Sequence, residues 1–137
     1  MIAVDTNVLS ETSRKRPNPG VIRWLAAHHT RLWMSTIVLA ELRYGVEKLP
    51  HSRQRNELEQ WLTRLATSFE NRLLPFEKEA AQAHGRLRAR LKRVGQPMNP
   101  ADSYLAATAL SLGIPVATRN LSDFQHAQVD LIDPWTA

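Results

Sequence analysis

Residues 1–11 read MIAVDTNVLSE. Ile2, Ala3 and Val4 form a short apolar run rich in β-branched residues, the pattern of a strand buried on both faces. Asp5 follows at once, then Thr6 and Asn7, before apolar residues resume at Val8 and Leu9. In parallel α/β sheets ligands bind in the crevice beyond the carboxyl ends of the strands, so an acid placed there is a candidate for chemistry. Taken alone, Asp5 is equally well a turn-former or a helix cap, because Asp readily bonds nearby backbone amides.

Outward from this stretch the chain alternates strands and helices. After a loop with Pro17, Pro19 and Gly20, the residues Val21, Trp24, Leu25 and His28 mark one face of a helix. Leu32 to Met34 reads as a second strand, and Ser35 or Thr36 caps a helix running to about Leu49, before Pro50. Arg53 to Ser68 carries Leu58, Trp61, Leu62 and Leu65 at helical spacing, and Leu73–Leu74 reads as a short strand. Glu77 to Val94 and Pro100 to Leu112 are helices ending near Gly95 and Gly113. Ile114 to Thr118 and Val129 to Ile132 complete the strands. This alternation predicts an α/β fold: a three-layer α/β/α sandwich with a short, mainly parallel central sheet, built from residues 1–137 as one domain. Asp5 and the group Thr118, Arg119 and Asn120 then fall on the same edge of the sheet.

Composition narrows the chemistry. A hydrophobic content of 43% excludes a disordered chain. No apolar run approaches the ~20 residues of a membrane span, and the N-terminus lacks a signal-peptide pattern, so a cytoplasmic protein without membrane contact is expected. The absence of cysteine excludes disulfides, zinc–thiolate sites and thiol nucleophiles. His28, His29, His51, His84 and His126 never take the H-x3-H spacing of a helical zinc site. Any metal would therefore be a hard cation held by oxygen, Mg2+ or Mn2+ before Zn2+. A net charge of +5 suits an anionic partner such as nucleic acid, although charge alone fits a merely basic protein as well.

Three further acids stand out. In STIVLAELRYGVEKL, Glu41 has Ile37, Val38, Tyr44 and Gly45 as its helical neighbours, and no basic residue three or four positions away. A carboxylate on such a face is costly unless paired or bound to a metal, and Gly45 leaves room for a ligand. In NPADSYLAATAL, Asn99 reads as the N-cap, Pro100 as the first helical position and Asp102 as the third. An acid there is favoured by the helix dipole, by about 0.3–1 kcal/mol, and a metal-binding role is compatible with it. In ATRNLSDF, Asn120 ends a strand and Asp123 follows three residues later, where a capping role is the plainer alternative. Carboxylates converging on one point repel one another and make sense with a cation among them. Phosphodiester hydrolysis is the chemistry such a centre supports.

The segments DTNVLSE, STIVLAELRYGVEKLP, PADSYLAATAL and VATRNLSDF, with a terminal IDPW, together resemble a PIN-domain ribonuclease, and more narrowly the VapC/FitB-type toxins of bacterial toxin–antitoxin pairs. The resemblance spans Met1 to about Trp135. It implies that Asp5 and Asp102 are the principal metal-binding acids, that Glu41 helps order the metal and its water, and that a fourth acid falls in the segment holding Asn120 and Asp123. Asn120 cannot act as a base, so the fourth acidic role goes to Asp123. Thr6, Asn7, Thr118 and Asn120 are the supporting polar residues of the pocket. The resemblance further implies Mg2+ dependence (with Mn2+ as a substitute), cleavage of RNA such as tRNA, homodimerisation, and a cognate antitoxin in a higher toxin–antitoxin assembly.

Such a centre needs basic surroundings to hold RNA. Arg14, Lys15 and Arg16 follow the first acidic motif and Arg119 adjoins Asn120, so these four are the candidate RNA contacts. In HGRLRARLKRVG, Arg86, Arg90 and Arg93 share a helical face opposite Leu87, Leu91 and Val94, and either solvent or RNA suits that face. Trp24 and Trp61 sit at core spacing. Two other classes compete with the ribonuclease. An aspartyl phosphatase would carry a second Asp where Asn7 stands; a non-catalytic RNA- or partner-binding module would have no use for Asp5, Glu41 and Asp102.

Overall fold

The computed structural model describes residues 1–137. In chain order the elements are β1 (Ile2–Val4), α1 (Thr6–Ser10), a 3-10 turn (Glu11–Ser13), α2 (Pro19–His28), a second 3-10 turn (His29–Arg31), β2 (Leu32–Ser35), α3 (Thr36–Glu47), α4 (Arg53–Ser68), β3 (Leu73–Leu74), α5 (Lys78–Arg93), α6 (Pro100–Leu112), β4 (Val116–Ala117), α7 (Leu121–Phe124) and β5 (Leu131–Ile132). The five strands form one sheet in the order β3-β2-β1-β4-β5, and every pairing is parallel. The three-layer α/β arrangement expected from the alternation is present, and the sheet is wholly rather than mainly parallel.

The order of the strands matters for function. The chain leaves β1 for β2 and β3 on one side, then crosses back to place β4 and β5 on the other. Between β1 and β4 the direction of winding therefore reverses, the place where sheets of this kind bind ligands beyond the strand ends. Asp5 follows β1 and Thr118 follows β4. Asp5 N donates to Ala117 O and Thr118 N donates to Ile132 O, both at 2.9 Å, so the ladder fixes both residues just past their strands.

β1 is buried throughout, with Ala3 and Val4 fully inaccessible. Its neighbours in the core include Met34, Val38, Leu62, Leu105, Val116 and Phe124. α6 is the most enclosed helix: Ser103, Leu105, Ala106, Ala107, Thr108 and Ala109 are all buried. Its run of alanines lets neighbouring elements approach closely, and its ends follow the expected chemistry. Asn99 caps it by accepting from Ala101 N, Pro100 opens it, and Gly113 closes it at φ +65°.

Several boundaries differ from expectation. Residues 6–13, assigned to no element from the sequence, are helical, because the Asp5 side chain accepts from Thr6 N and starts α1. The strands β4 and β5 are each two residues long. Val94, expected on the buried face of α5, is 58% exposed because the helix ends at Arg93. Arg90, on the face expected to meet solvent or RNA, instead donates to the carbonyls of His126 and Ala127, tying α5 to the segment after α7. No helix is long and apolar enough to cross a membrane.

Candidate functional site

Asp5 is 5% exposed, and three groups hold its carboxylate. Oδ1 accepts from Thr6 N at 2.7 Å; Oδ2 accepts from Thr118 Oγ1 at 2.8 Å and from Asn7 Nδ2 at 3.1 Å. Asn7 also accepts from Arg119 N at 3.2 Å, so its side chain bridges Asp5 to the end of β4. Burial pushes the Asp5 carboxyl up, while the three donors oppose that shift by favouring the anion.

Glu41 lies on α3, where Ser35 caps the helix by accepting from Ile37 N. Its Oε1 accepts from Thr6 Oγ1 at 2.8 Å, so residues 5, 6 and 7 together orient two acids. Burial raises the Glu41 carboxyl, and Asp5 adds to the rise. The apolar surroundings expected of Glu41 are only partly there: Val38 is buried, but Tyr44 is 68% exposed. A Cβ at Gly45 would meet no atom within 4 Å, which leaves that side of the helix open.

Asp102, in the first turn of α6, is pushed up to about 6, first by burial and then by Asp5, Asp123 and Glu41. It is the most perturbed of the four, and no hydrogen bond offsets the shift. Asp123 is exposed on α7 and shares a cavity of about 340 Å3 with Asp102, Asn99 and Ser122. Asn120 is exposed; its backbone N–H donates to Thr118 Oγ1, and its side chain makes no cap.

The fold thus brings Asp5, Glu41, Asp102 and Asp123 near enough to repel one another. The five ion pairs of the chain pass all four by, engaging Glu11, Glu47, Glu57 and Glu59 instead. No three acidic or imidazole side chains converge closely enough to clasp an ion by themselves. That donor set fits Mg2+ better than Zn2+, since Mg2+ takes one or two carboxylates and keeps several waters.

The basic candidates are placed less directly. Arg14 pairs with Glu11 at 3.2 Å, Lys15 and Arg16 are exposed, and the Arg119 guanidinium lies 4.9 Å above the Trp135 ring. Glu11 was not anticipated. It is 4% exposed, accepts from Asn18 N at 2.9 Å, and its carboxyl is lowered chiefly by that bond and by Arg14. It anchors the loop before α2, and its partners lie in a loop with no periodic pattern to reveal them.

Residues 2–129 match the PIN domain. The chain belongs to the PIN-domain family. Among PIN relatives, the VapC ribonuclease Y4jK of Sinorhizobium fredii is 37% identical over 98% of each chain. Toxin FitB of Neisseria gonorrhoeae is 37% identical over 98% of this chain and 99% of its own. The tRNA(fMet)-specific endonuclease VapC of Salmonella typhimurium is 32% identical over 96% of each. The crystal structure of FitAcB from Neisseria gonorrhoeae superposes with a TM-score of 0.92 at 37% identity, covering the whole of both chains.

Proposed function

We propose that this PIN domain is a metal-dependent endoribonuclease acting as the toxin of a toxin–antitoxin pair. The observation that carries the reading is a set of four mutually repelling acids, none ion-paired, at the reversal point of the sheet in a chain of net charge +5. Asp5 and Asp102 would hold the ion, with Glu41 and Asp123 completing the acidic surround. When bound, Mg2+ or Mn2+ lowers the pKa of a water and neutralises charge on the phosphoryl oxygens.

The chain's own groups prepare the site. Thr118, Asn7 and the Thr6 amide aim the Asp5 carboxylate and favour its anion against the effect of burial. Thr6 Oγ1 orients Glu41, whose raised carboxyl suits it to accept a proton from attacking water. The relatives named ribonuclease and tRNA(fMet)-specific endonuclease support RNA, and tRNA within that class, as substrate. The relative named a toxin supports a neutralising antitoxin, because a cell making such an enzyme must restrain it. Homodimerisation and a cytoplasmic location belong to the same reading.

The test is incubation of purified protein with tRNA in Mg2+ or Mn2+, in excess chelator, and with Asp5→Asn. Cleavage is expected only from the unmodified chain with metal. Cleavage that persists in chelator or in the variant refutes the metal site, and binding without cleavage in both proteins favours a non-catalytic module.

A further inference from the structure

A cavity of about 780 Å3 lies between α5 and the start of α6, within the roughly 300–1,000 Å3 usual for ligand sites. Leu91, Met98 and the rings of His84 and Tyr104 line it. The two rings are stacked, with centroids 4.2 Å apart and planes 17° apart. Phe76 meets both edge-on, and His84 Nε2 is 3.0 Å from Ser103 Oγ, so the pair is fixed before any ligand arrives. Arg88 and Lys92 also line the cavity; both are exposed, neither is in an ion pair, and no acid joins them. On α3 and α4, by contrast, Arg43, Arg53 and Arg55 are each matched to a glutamate.

Position adds the second argument. Pro97 and Met98 wall both this cavity and the smaller one holding Asp102 and Asp123. The first turn of α6 places Asp102 on one side of that wall and Ser103 and Tyr104 on the other. Flat rings beside unpaired cations, with no acid among them, match a base and its phosphate better than they match an apolar or cationic ligand.

We propose that this cleft is a nucleotide subsite of the RNA substrate, holding the base of a nucleotide near the scissile bond against His84 and Tyr104 and its phosphate at Arg88 and Lys92. This rests on the ribonuclease reading above and assigns that enzyme a second contact, separate from its acids.

The test uses the full chain carrying Asp5→Asn, which is silenced for cleavage, and a fluorescent eight-nucleotide oligoadenylate read by anisotropy across a salt series. Adding Arg88→Ala and Lys92→Ala, both at exposed positions, is expected to weaken binding about tenfold at low salt. It should also flatten the slope of log affinity against log salt by about 0.7, the share of the one phosphate held in the cleft. In the same protein, adenosine monophosphate should shift the His84 ring resonances more than ribose 5-phosphate does, which reads the base contact without mutation. Cleavage of tRNA by the unmodified chain, run in parallel, reports on the ribonuclease reading separately. Cleavage present with affinity and slope unchanged overturns the subsite alone. So does a double variant whose sedimentation changes while its RNA affinity does not, since the cleft would then be a protein interface.

Discussion

Asp102→Asn is expected to stabilise the metal-free protein while abolishing cleavage. The Asp102 carboxyl moves from 3.8 to about 6 on folding, chiefly by burial and then through Asp5, Asp123 and Glu41. A carboxyl raised in the folded state has no effect on stability below the unfolded value, costs more as pH climbs between the two values, and costs its full amount above the folded one. Two pKa units correspond to about 3 kcal/mol, which partial solvent access reduces to about 1–2 kcal/mol. Asparagine gives back the dipole stabilisation of an acid in the first turn, about 0.3–1 kcal/mol, so the net gain is about 1 kcal/mol. For 137 residues, at about 2.1 cal/mol/K of unfolding entropy each, that raises Tm by about 3 °C. Thermal unfolding followed by circular dichroism in chelator checks this at about pH 7.5, and the advantage should shrink at about pH 4.5, where Asp102 is protonated. With Mg2+ in place of chelator the unmodified protein should gain stability and the variant should not. A variant less stable than the original by a similar amount in chelator, or an advantage unchanged at the lower pH, refutes the repelling cluster.

Two further outcomes follow from single contacts. Thr6→Val removes the donor to Glu41 Oε1 at 2.8 Å and should lower cleavage about tenfold, the equivalent of about 1.4 kcal/mol, with Thr6→Ser restoring most of it; steady-state rates decide the matter, and an unchanged rate removes Glu41 orientation from the scheme. Gly113→Ala forces a Cβ into a φ +65° cap where no atom lies within 4 Å, so the cost of about 1 kcal/mol is the backbone's alone; Tm should fall by about 3 °C with cleavage per folded molecule unchanged.

What the sequence made readable was whatever local chemistry determines. Ile2–Val4 reads as a buried strand because three consecutive apolar residues suit nothing half-exposed, and α6 reads as a buried helix because Asn99, Pro100 and Gly113 punctuate a run too apolar for a surface. Thr118 could be placed at the sheet's active edge, but its bond to Asp5 spans 113 residues and rests on the strand order, which periodicity does not encode. The exposure of Val94 and the partners of Arg90 were hidden for a related reason. A helical wheel gives faces but not where a helix stops, nor which distant carbonyls take up an arginine. Glu11 escaped notice because its partners Asn18 and Arg14 belong to a loop with no periodic pattern.

The charges of this PIN domain divide into a part that is balanced internally and two parts that are not. Arg43, Arg55, Glu47 and Glu59 form a network between α3 and α4 that neutralises itself and contributes little beyond rigidity. The four acids at the sheet edge have no cationic partner, and α5 carries Lys78, Arg86, Arg88, Lys92 and Arg93 with no ion pair at all. Moving the α5 cations a few turns toward Asp102 would have relieved both, yet Arg88 and Lys92 line the neighbouring cavity and stop short of the acids. An internal salt bridge would occupy the carboxylates and discharge the basic face together. Keeping the two apart would leave one surface free for a divalent cation and the adjoining one free for a polyanion, as the metal-dependent nuclease proposed above requires.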